Sequence, residues 1–364
     1  MPYVFLGAHP SPHSGSGKPR SFKNIGSLAY STHSHYNKRF IKAQFIDLSV
    51  ARVIGFLGNG RPDGGYTITV LKEALKGAES VSGVQTELIY LTHYKFGSCV
   101  SSYNCIRDPN HRCTLADDMG LKGEGKLWKI QEGANGFIFG SPVHHWNVDA
   151  LTHLFIERLY PYTWSGEIKG LPVATINVAS NQGFQDWANK VLCELMFALD
   201  LKYIGGLPVH AAYMDEALPK ARYLGVKLGE AAIIDEREGR HVPTDEEAWL
   251  NYQNTAWKVY PHYLENLTMG TGNPRFSVIR RSLSNGTFKN KEAIDLLEKA
   301  DKEFEDFSRF HSLNDERNAI RSLVKASTYW THATWKEFLE EQKIKVKQPD
   351  AYRQLEESEI EPLI

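Results

Sequence analysis

The sequence is poor in cysteine and has no long apolar run, and each absence excludes a class of protein. Four cysteines in 364 residues are too few for a disulfide scaffold, so a reducing compartment is expected. No stretch of about 18 apolar residues occurs, and a membrane-spanning helix is therefore not expected. The apolar run near the first residue is too short for a signal peptide. These absences predict a soluble, cytoplasmic protein with no membrane partner.

Neither sign of charge is in excess. The chain has 42 Lys and Arg against 43 Asp and Glu, a formal net charge of -1, which argues against nucleic acid as a partner. Hydrophobic residues make up 42% and charged residues 23% of the chain, so disordered and collagen-like classes are excluded. At roughly 100–200 residues per domain, the length predicts one large domain or two modest ones.

Residues 1–50 differ in composition from the rest of the chain. They are rich in Ser, His, Gly and Pro, and they carry six Lys or Arg residues against Asp47 alone. No period of 2 or 3.6 residues is clear before Phe40, which predicts an extended N-terminal arm. Two interpretations stay open, a plain surface extension and an arm that wraps a partner subunit.

Residues 51–235 alternate between apolar strands and amphipathic helices. Strands are predicted at residues 51–58, 84–91, 136–140, 171–178 and 203–209. Helices are predicted at residues 67–82, 117–134, 149–160, 184–201 and 215–234. Because parallel strands need helical crossovers, this order predicts an α/β fold with a doubly wound, five-stranded parallel sheet. Such sheets bind ligands at the carboxyl ends of their strands, so the loops that follow the strands are the places for chemistry.

Residues 236–364 show only helical patterns and are predicted to form an all-helical C-terminal extension. A capping box that starts at Thr244 precedes one predicted helix that carries the aromatic stripe Trp249, Tyr252, Trp257 and Tyr260, which is interpreted as core or subunit interface. A Gly/Asn/Ser-rich connector is expected at residues 270–289. Further helices are predicted at residues 291–310, 315–330 and 332–346.

The first loop of the α/β region, residues 58–67, joins a strand to a helix and is rich in glycine. Glycines allow backbone N–H groups to turn toward an anion, and this loop also carries an arginine and a threonine hydroxyl. Together they form the pattern of a phosphate site at a helix N-terminus. The loop is neither a Walker loop nor a complete GxGxxG. A flexible strand-to-helix turn is the alternative interpretation.

Four segments, in this order, resemble one known family. They are the glycine-rich loop with GYTITVLKEALKGAE, then VQTELIYL, then Cys99, Cys105 and Cys113 leading into LADDM, and finally GANGFIFGSPVHHWNVDALTHLFIERL. In this combination the chain resembles the flavodoxin-like NAD(P)H-dependent FMN reductases, in the branch with the multimeric flavodoxin-like reductases and the iron–sulfur flavoproteins. The resemblance covers about residues 51–235.

The resemblance implies a cofactor, a reductant and a site. It implies that FMN takes a hydride from NAD(P)H and passes electrons to a quinone, a flavin, a nitro or azo compound, or a specialised metabolite. It assigns the FMN phosphate to Asn59, Arg61, Gly65, Tyr66 and Thr67. It places the flavin ring against Pro142, Val143, His144, His145, Trp146 and Asn147, and against Ser180, Asn181, Gln182 and Gly183. It further implies a homodimer or homotetramer with the flavin near the subunit interface.

The chain departs from the family beside the flavin ring. His144, His145 and Trp146 stand where family members usually show an aromatic pair and a glycine, and the loop near Gly183 has one glycine where two are common. His144, His145 and Trp146 are the candidate catalytic residues, because an indole and two imidazoles at a flavin face can shape a specialised substrate pocket. Imidazole titrates near neutrality, so His144 or His145 can also donate a proton to the substrate. The alternative is that both histidines are polar edge residues. No third and fourth ligand stands at motif spacing, so no metal is expected.

The cysteines differ from the four-thiolate pattern of the iron–sulfur relatives. Ser102 occupies the position of the second cysteine, and the fourth, Cys193, lies far along the chain. Since a cluster needs four thiolates, no [4Fe–4S] cluster is expected. Three interpretations of Cys99, Cys105 and Cys113 stay open: vestigial loop residues, a reversible disulfide, or a metal or incomplete cluster.

Two rival classes of function are also considered. One is a flavodoxin-type electron-transfer protein that docks to protein partners, although such carriers tend to be small and acidic. The near-zero net charge and the long C-terminal region count against this class. The other is an interaction protein in which the helical region is the functional part.

Overall fold

The computed structural model describes residues 50–58, 61, 63–346 and 352–360. The predicted arm at residues 1–50 therefore lies outside the described residues except for Val50, and the predicted phosphate ligand Asn59 lies outside them as well.

Five parallel strands form one sheet in the order β2-β1-β3-β5-β6, and a short strand, β4, pairs antiparallel with the end of β3. The strands are β1 (Ala51–Leu57), β2 (Val84–Tyr90), β3 (Gly136–His144), β4 (Asn147–Val148), β5 (Pro172–Ala179) and β6 (Lys202–His210). Every residue of β5 is buried, as expected for a strand covered by helices on both faces. The predicted α/β fold is thus confirmed, and the strand order reverses between β1 and β3, where such folds bind ligands.

Helices cover both faces of the sheet. One face packs against α1 (Tyr66–Glu79) and α7 (Met214–Glu238), and the other packs against α4 (Ala150–Glu157) and α6 (Gln185–Ala198). Glycines allow α1 and α7 to touch. A Cβ on Gly225 would lie 1.8 Å from the carbonyl oxygen of Ala74, and one on Gly77 would lie 2.0 Å from that of Arg222. Shorter helices are α2 (Asn104–Arg107), α3 (Lys126–Gln131) and α5 (Tyr160–Ser165).

The helix predicted at residues 117–134 is wrong over most of its length, since only α3 and one 3-10 turn form there. A Cβ on Gly120 would lie 2.0 Å from the carbonyl oxygen of Leu115, which shows how tightly this segment coils. The carboxylate of Asp118 does not cap a helix but accepts a hydrogen bond from the backbone N–H of Lys95, at 2.7 Å. Long-range contacts therefore override the local helical pattern.

The C-terminal region is helical as predicted, and no strand occurs in residues 236–346 and 352–360. Its helices are α8 (Asp245–Gln253), α9 (Val259–Leu267), α10 (Val278–Ser284), α11 (Lys291–Ser312), α12 (Glu316–Glu341) and α13 (Glu357–Ile360). Three details of the prediction are wrong. The helix predicted after Thr244 breaks before α9, where Lys258 has a φ of 55°. The connector predicted at residues 270–289 contains the helix α10. The two helices predicted at residues 315–330 and 332–346 form one continuous helix, α12.

The first C-terminal helices share a core with the sheet. The hydroxyl of Tyr252 donates to the carbonyl of Leu201 at 2.7 Å, and its ring packs edge-on against Phe197 of α6. Trp249 and Trp257 are buried in the same cluster, so the aromatic stripe belongs to the core. Within the described part of the chain, no helix is long and apolar enough to cross a membrane.

Candidate functional site

Loops that follow β1 and β3 meet at the carboxyl edge of the sheet. The N–H of Gly58, directly after β1, donates to the carbonyl of Gly140 at 2.9 Å. A Cβ on Gly58 would lie 2.2 Å from a carboxylate oxygen of Asp149 and 2.0 Å from the hydroxyl of Thr152. Only glycine therefore allows the backbone at position 58 to lie directly against the start of α4.

A buried carboxylate braces this junction. Asp149 is the N-cap of α4, and it accepts hydrogen bonds from the N–H groups of Leu151 and Thr152 at 3.1 and 3.2 Å. It also accepts a bond of 2.8 Å from the hydroxyl of Ser141 on β3. These bonds fix β3 to the start of α4, against which Gly58 lies.

The start of α1 is open to an anion. Gly65 is its N-cap and makes no side-chain cap, and the first turn holds no acidic residue. The first N–H groups of a helix have no partner within the helix and stand at the positive end of its dipole. Arg61 and Tyr66 are exposed, and Thr67 is buried. The structure thus brings four of the five predicted phosphate ligands to one helix end.

The loop predicted after Gly140 is largely a hairpin, because β3 continues through Pro142 and Val143 to His144. His144 pairs with Asn147 of β4. The two turn residues, His145 and Trp146, have φ values of 48° and 66°, as in a two-residue type I′ turn. Residues 144–147 are all exposed.

The loop after β5 contacts this hairpin. The indole N–H of Trp146 donates to the side-chain carbonyl of Gln182 at 2.8 Å. Ser180, Asn181 and Gln182 are exposed, and Gly183 has a φ of 88°. The two loops that were predicted to border a flavin ring therefore lie side by side.

Sequence reasoning missed several residues of this edge. The imidazole Nε2 of His210, at the end of β6, lies 3.3 Å from the carbonyl oxygen of Asn181, and the rule about strand ends would have pointed to it. An Asp at position 149 before a helical pattern is an N-cap signal. Nothing local indicates that Phe184 stacks on Trp146, with ring centroids 4.6 Å apart.

A cavity of about 240 Å³ lies against the segment from Cys99 to Cys113, which we call the cysteine loop, and Cys99, Ser102, Cys105 and Cys113 all line it. No cysteine of the described chain forms a disulfide. Burial, with Cys113 and Cys99 nearby, raises the pKa of Cys105 to about 11. Cys193 is buried elsewhere, against Thr255. No group of three or more His, Cys, Asp or Glu side chains suited to a metal ion occurs among the described residues.

Arg158 ties the cysteine loop to the sheet domain. Its guanidinium is 2% exposed, and it donates to Asp117 at 2.6 Å and to the Cys113 sulfur at 3.3 Å. Burial alone would raise the pKa of Asp117, but the hydrogen bond and charge of Arg158 hold that pKa below its ordinary value. The neighbouring Glu157 accepts the backbone N–H of Cys99 at 3.0 Å.

Comparison with known proteins gives a family match, curated relatives and similar solved structures. Residues 51–213 match the family described as NADPH-dependent FMN reductase. An iron–sulfur flavoprotein of Archaeoglobus fulgidus is 30% identical over 220 residues, which are 59% of this chain and 94% of that protein. An iron–sulfur flavoprotein of Methanocaldococcus jannaschii is 29% identical over 181 residues, 50% of this chain and 84% of that protein. A solved structure of a flavone reductase shares 16% identity at a TM-score of 0.38, covering 52% of this chain and 66% of that one.

Proposed function

This chain belongs to the NADPH-dependent FMN reductase family, and we propose that it is an FMN-dependent oxidoreductase that takes hydride from NAD(P)H and passes electrons to a small-molecule acceptor. The observation that carries the proposal is the meeting of three loops at one sheet edge. There the uncapped start of α1 lies at the first loop, and the hairpin of β3 and β4 contacts the loop after β5. This edge includes the switch in strand order, where ligands bind in such folds.

The residues of the first loop suit a phosphate. Arg61, Gly65, Tyr66 and Thr67, with Asn59, are the proposed ligands of the FMN phosphate. Gly65 favours the close approach of the loop, because a Cβ there would lie 3.1 Å from the carbonyl oxygen of Arg61. The open N–H groups and positive helix end favour a bound dianion.

The hairpin and the loop after β5 are proposed to hold the ring. The proposed contacts are Pro142, Val143, His144, His145, Trp146 and Asn147 from the hairpin, and Ser180, Asn181, Gln182 and Gly183 from the loop after β5. FMN supplies hydride acceptance and electron transfer when bound, as cofactors do in such enzymes. The chain orients the ring, and the exposed imidazoles of His144 and His145 are the proposed proton donors to the substrate. Trp146, whose indole N–H donates to Gln182, is proposed to pack beside the flavin ring.

The cysteine cavity does not suit the cluster after which the two matched relatives are named. Such clusters are held by four thiolates, whereas three thiols and the Ser102 hydroxyl line this cavity. Burial raises the pKa of Cys105 to about 11, which disfavours its thiolate. We therefore assign no cluster chemistry to this chain, and the reaction needs none.

The proposal is tested by titrating FMN and riboflavin into the purified chain and following flavin fluorescence. FMN is expected to bind more tightly than riboflavin, because only FMN carries the phosphate. Arg61→Ala is expected to weaken FMN binding by roughly 10- to 150-fold, since a charge-assisted bond is worth about 1.5–3 kcal/mol, and to leave riboflavin binding unchanged. Arg275→Ala, at an exposed arginine far along the chain, is the matched control.

Equal affinity for FMN and riboflavin, or no flavin binding at all, would contradict the proposal. Oxidation of NADPH and NADH is then compared with and without FMN. A protein that binds FMN but oxidises neither nucleotide with any acceptor is instead a flavodoxin-type carrier.

Assembly and location complete the proposal. We propose a cytoplasmic homodimer or homotetramer, with the cofactor domain at residues 51–235 and the helical extension at residues 236–364. Light scattering of the full chain and of a chain lacking residues 1–45 tests whether the arm covers a partner subunit. Unchanged mass and activity would make the arm a surface extension.

A further inference from the structure

Three exposed aromatic rings lie together beside the proposed flavin site, and we call them the aromatic platform. Trp146, Phe184 and Trp187 are 55%, 44% and 55% exposed. The rings of Trp146 and Phe184 stack with centroids 4.6 Å apart and an interplanar angle of 15°. With Asp186, the platform lines an open surface groove of about 460 Å³.

Two platform residues and the neighbouring His145 have unfavourable backbone conformations. His145, Trp146 and Phe184 have φ values of 48°, 66° and 66°. Residues other than glycine rarely adopt this left-handed region. Such strain persists only where the surrounding structure enforces it, and it clusters at ligand sites. Here the indole N–H of Trp146 is tied to Gln182 at 2.8 Å, which fixes the ring that carries the stack.

Two opposite charges lie beside the platform. Asp186 lines the groove, and the ammonium of Lys190 lies 5.8 Å from the centroid of the Trp187 ring. This pair gives no net preference for an ion. Selection by this surface therefore depends on stacking and shape, because flat π faces prefer offset-stacked aromatic partners.

We propose that Phe184 and Trp187 extend the site into a stacking subsite that selects planar, neutral aromatic electron acceptors. The inference rests on the proposed function, because the platform shares Trp146 and Gln182 with the residues proposed to border the flavin ring. An acceptor stacked there lies next to the ring from which it takes electrons. Phe184 and Trp187 are specificity residues and take no part in holding the phosphate.

The test uses the full chain loaded with FMN and two acceptors, 1,4-naphthoquinone and ferricyanide. NADPH gives up a hydride, and the quinone gains two electrons and two protons, the second proton coming from solvent. Two ferricyanide ions take the same two electrons and leave one proton in solution. The quinone is a flat aromatic molecule and ferricyanide is not, so only the quinone stacks.

Phe184→Leu and Trp187→Leu are each expected to raise the KM for naphthoquinone about tenfold, as loss of one stacking ring does elsewhere. Turnover with ferricyanide and the FMN content are expected to stay unchanged. Tyr223→Leu is the matched control, because Tyr223 is 65% exposed and Lys227 lies 5.6 Å above its ring, as Lys190 does at Trp187. That variant is expected to leave both acceptors unaffected.

Three results would overturn the inference. One is a naphthoquinone KM that neither variant changes while FMN binding and ferricyanide reduction persist. Another is a fall in molar mass of the variants in light scattering, which would make the platform a contact between copies of the chain. A wild-type chain that binds no FMN, or reduces neither acceptor, overturns the proposed function and the subsite with it.

Discussion

The strained turn at the candidate site predicts that one substitution will stabilise the protein. His145 is exposed, has a φ of 48° and is the first residue of the two-residue turn between β3 and β4. Replacing it with glycine removes the steric conflict of an L side chain in the left-handed region. Within the residues that the structure describes, the side chain of His145 makes no hydrogen bond and no ring contact, so its removal costs few interactions.

The size of the effect follows from two opposing contributions. A left-handed conformation costs an L residue roughly 1–2 kcal/mol. Glycine has more backbone freedom in the unfolded chain, which lowers the free energy of unfolding by about 0.5–1 kcal/mol. His145→Gly is therefore expected to raise the free energy of unfolding by roughly 0.5–1 kcal/mol.

The neighbouring histidine provides the control. His144 is also exposed but lies in β3, where its backbone is extended. Glycine in a strand costs about 0.5–1 kcal/mol, so His144→Gly is expected to lower the free energy of unfolding. The two single variants should differ by about 1–2 kcal/mol, which urea unfolding of the flavin-free chains resolves with an unchanged slope against denaturant.

The two variants also separate stability from catalysis. If His145 is a proton donor, His145→Gly gains stability and loses turnover, the usual conflict at functional sites. A His145→Gly chain that is destabilised as much as His144→Gly would refute the reasoning, because strain at the turn would then contribute nothing.

Three further predictions concern the fold and the cysteine loop. Asp117→Asn is expected to lower stability by about 3–5 kcal/mol at neutral pH, because it leaves the buried Arg158 charge unpaired. The carboxylate pKa is held below its ordinary value of 3.8, so its stabilisation is present above that pH and is lost as pH falls through the folded value. Urea midpoints measured from neutral to acid pH should show this acid dependence in the wild type and less of it in the variant. Gly225→Ala is expected to lower the free energy of unfolding by about 1–3 kcal/mol through overpacking. Gly97→Ala, where a Cβ meets nothing within 4 Å, is expected to lower it by about 0.5 kcal/mol or less. Equal melting temperatures of the two variants would contradict the close packing at Gly225. After anaerobic reconstitution, the wild-type chain is expected to hold well under the roughly four irons of a full cluster, and Ser102→Cys is expected to hold more iron and sulfide. About four irons per wild-type chain would contradict the assignment of no cluster.

The fold was largely predictable from sequence, because buried parallel strands appear as short apolar runs between helical patterns. All five parallel strands were found. The end of β3 was missed, since Pro142 and the polar residues after it do not look like a strand. The helix expected at residues 117–134 failed because Asp117 and Asp118 bond to distant groups, which no local periodicity records.

The candidate site likewise has parts that the sequence predicted and parts that it did not. The glycine-rich loop was visible because an open helix start has a local signature. The buried carboxylate of Asp149 beside this loop was not visible, since the approach of Gly58 to Asp149 joins residues 91 positions apart. In the C-terminal region, α10 went unseen within a Gly/Asn/Ser-rich stretch, where Ser277 caps it by accepting the N–H of Arg280.

The sequence by itself determined the α/β class, the family and the loops at which a cofactor is proposed to bind. These depend on local patterns, such as strand and helix periods and glycines at turns, that each segment carries alone. Only the tertiary structure decided that Trp146 stacks on Phe184 and bonds to Gln182, and that Arg158 joins Asp117 to Cys113. These contacts join residues 36 to 45 positions apart, and the packing of helices on the sheet sets such distances.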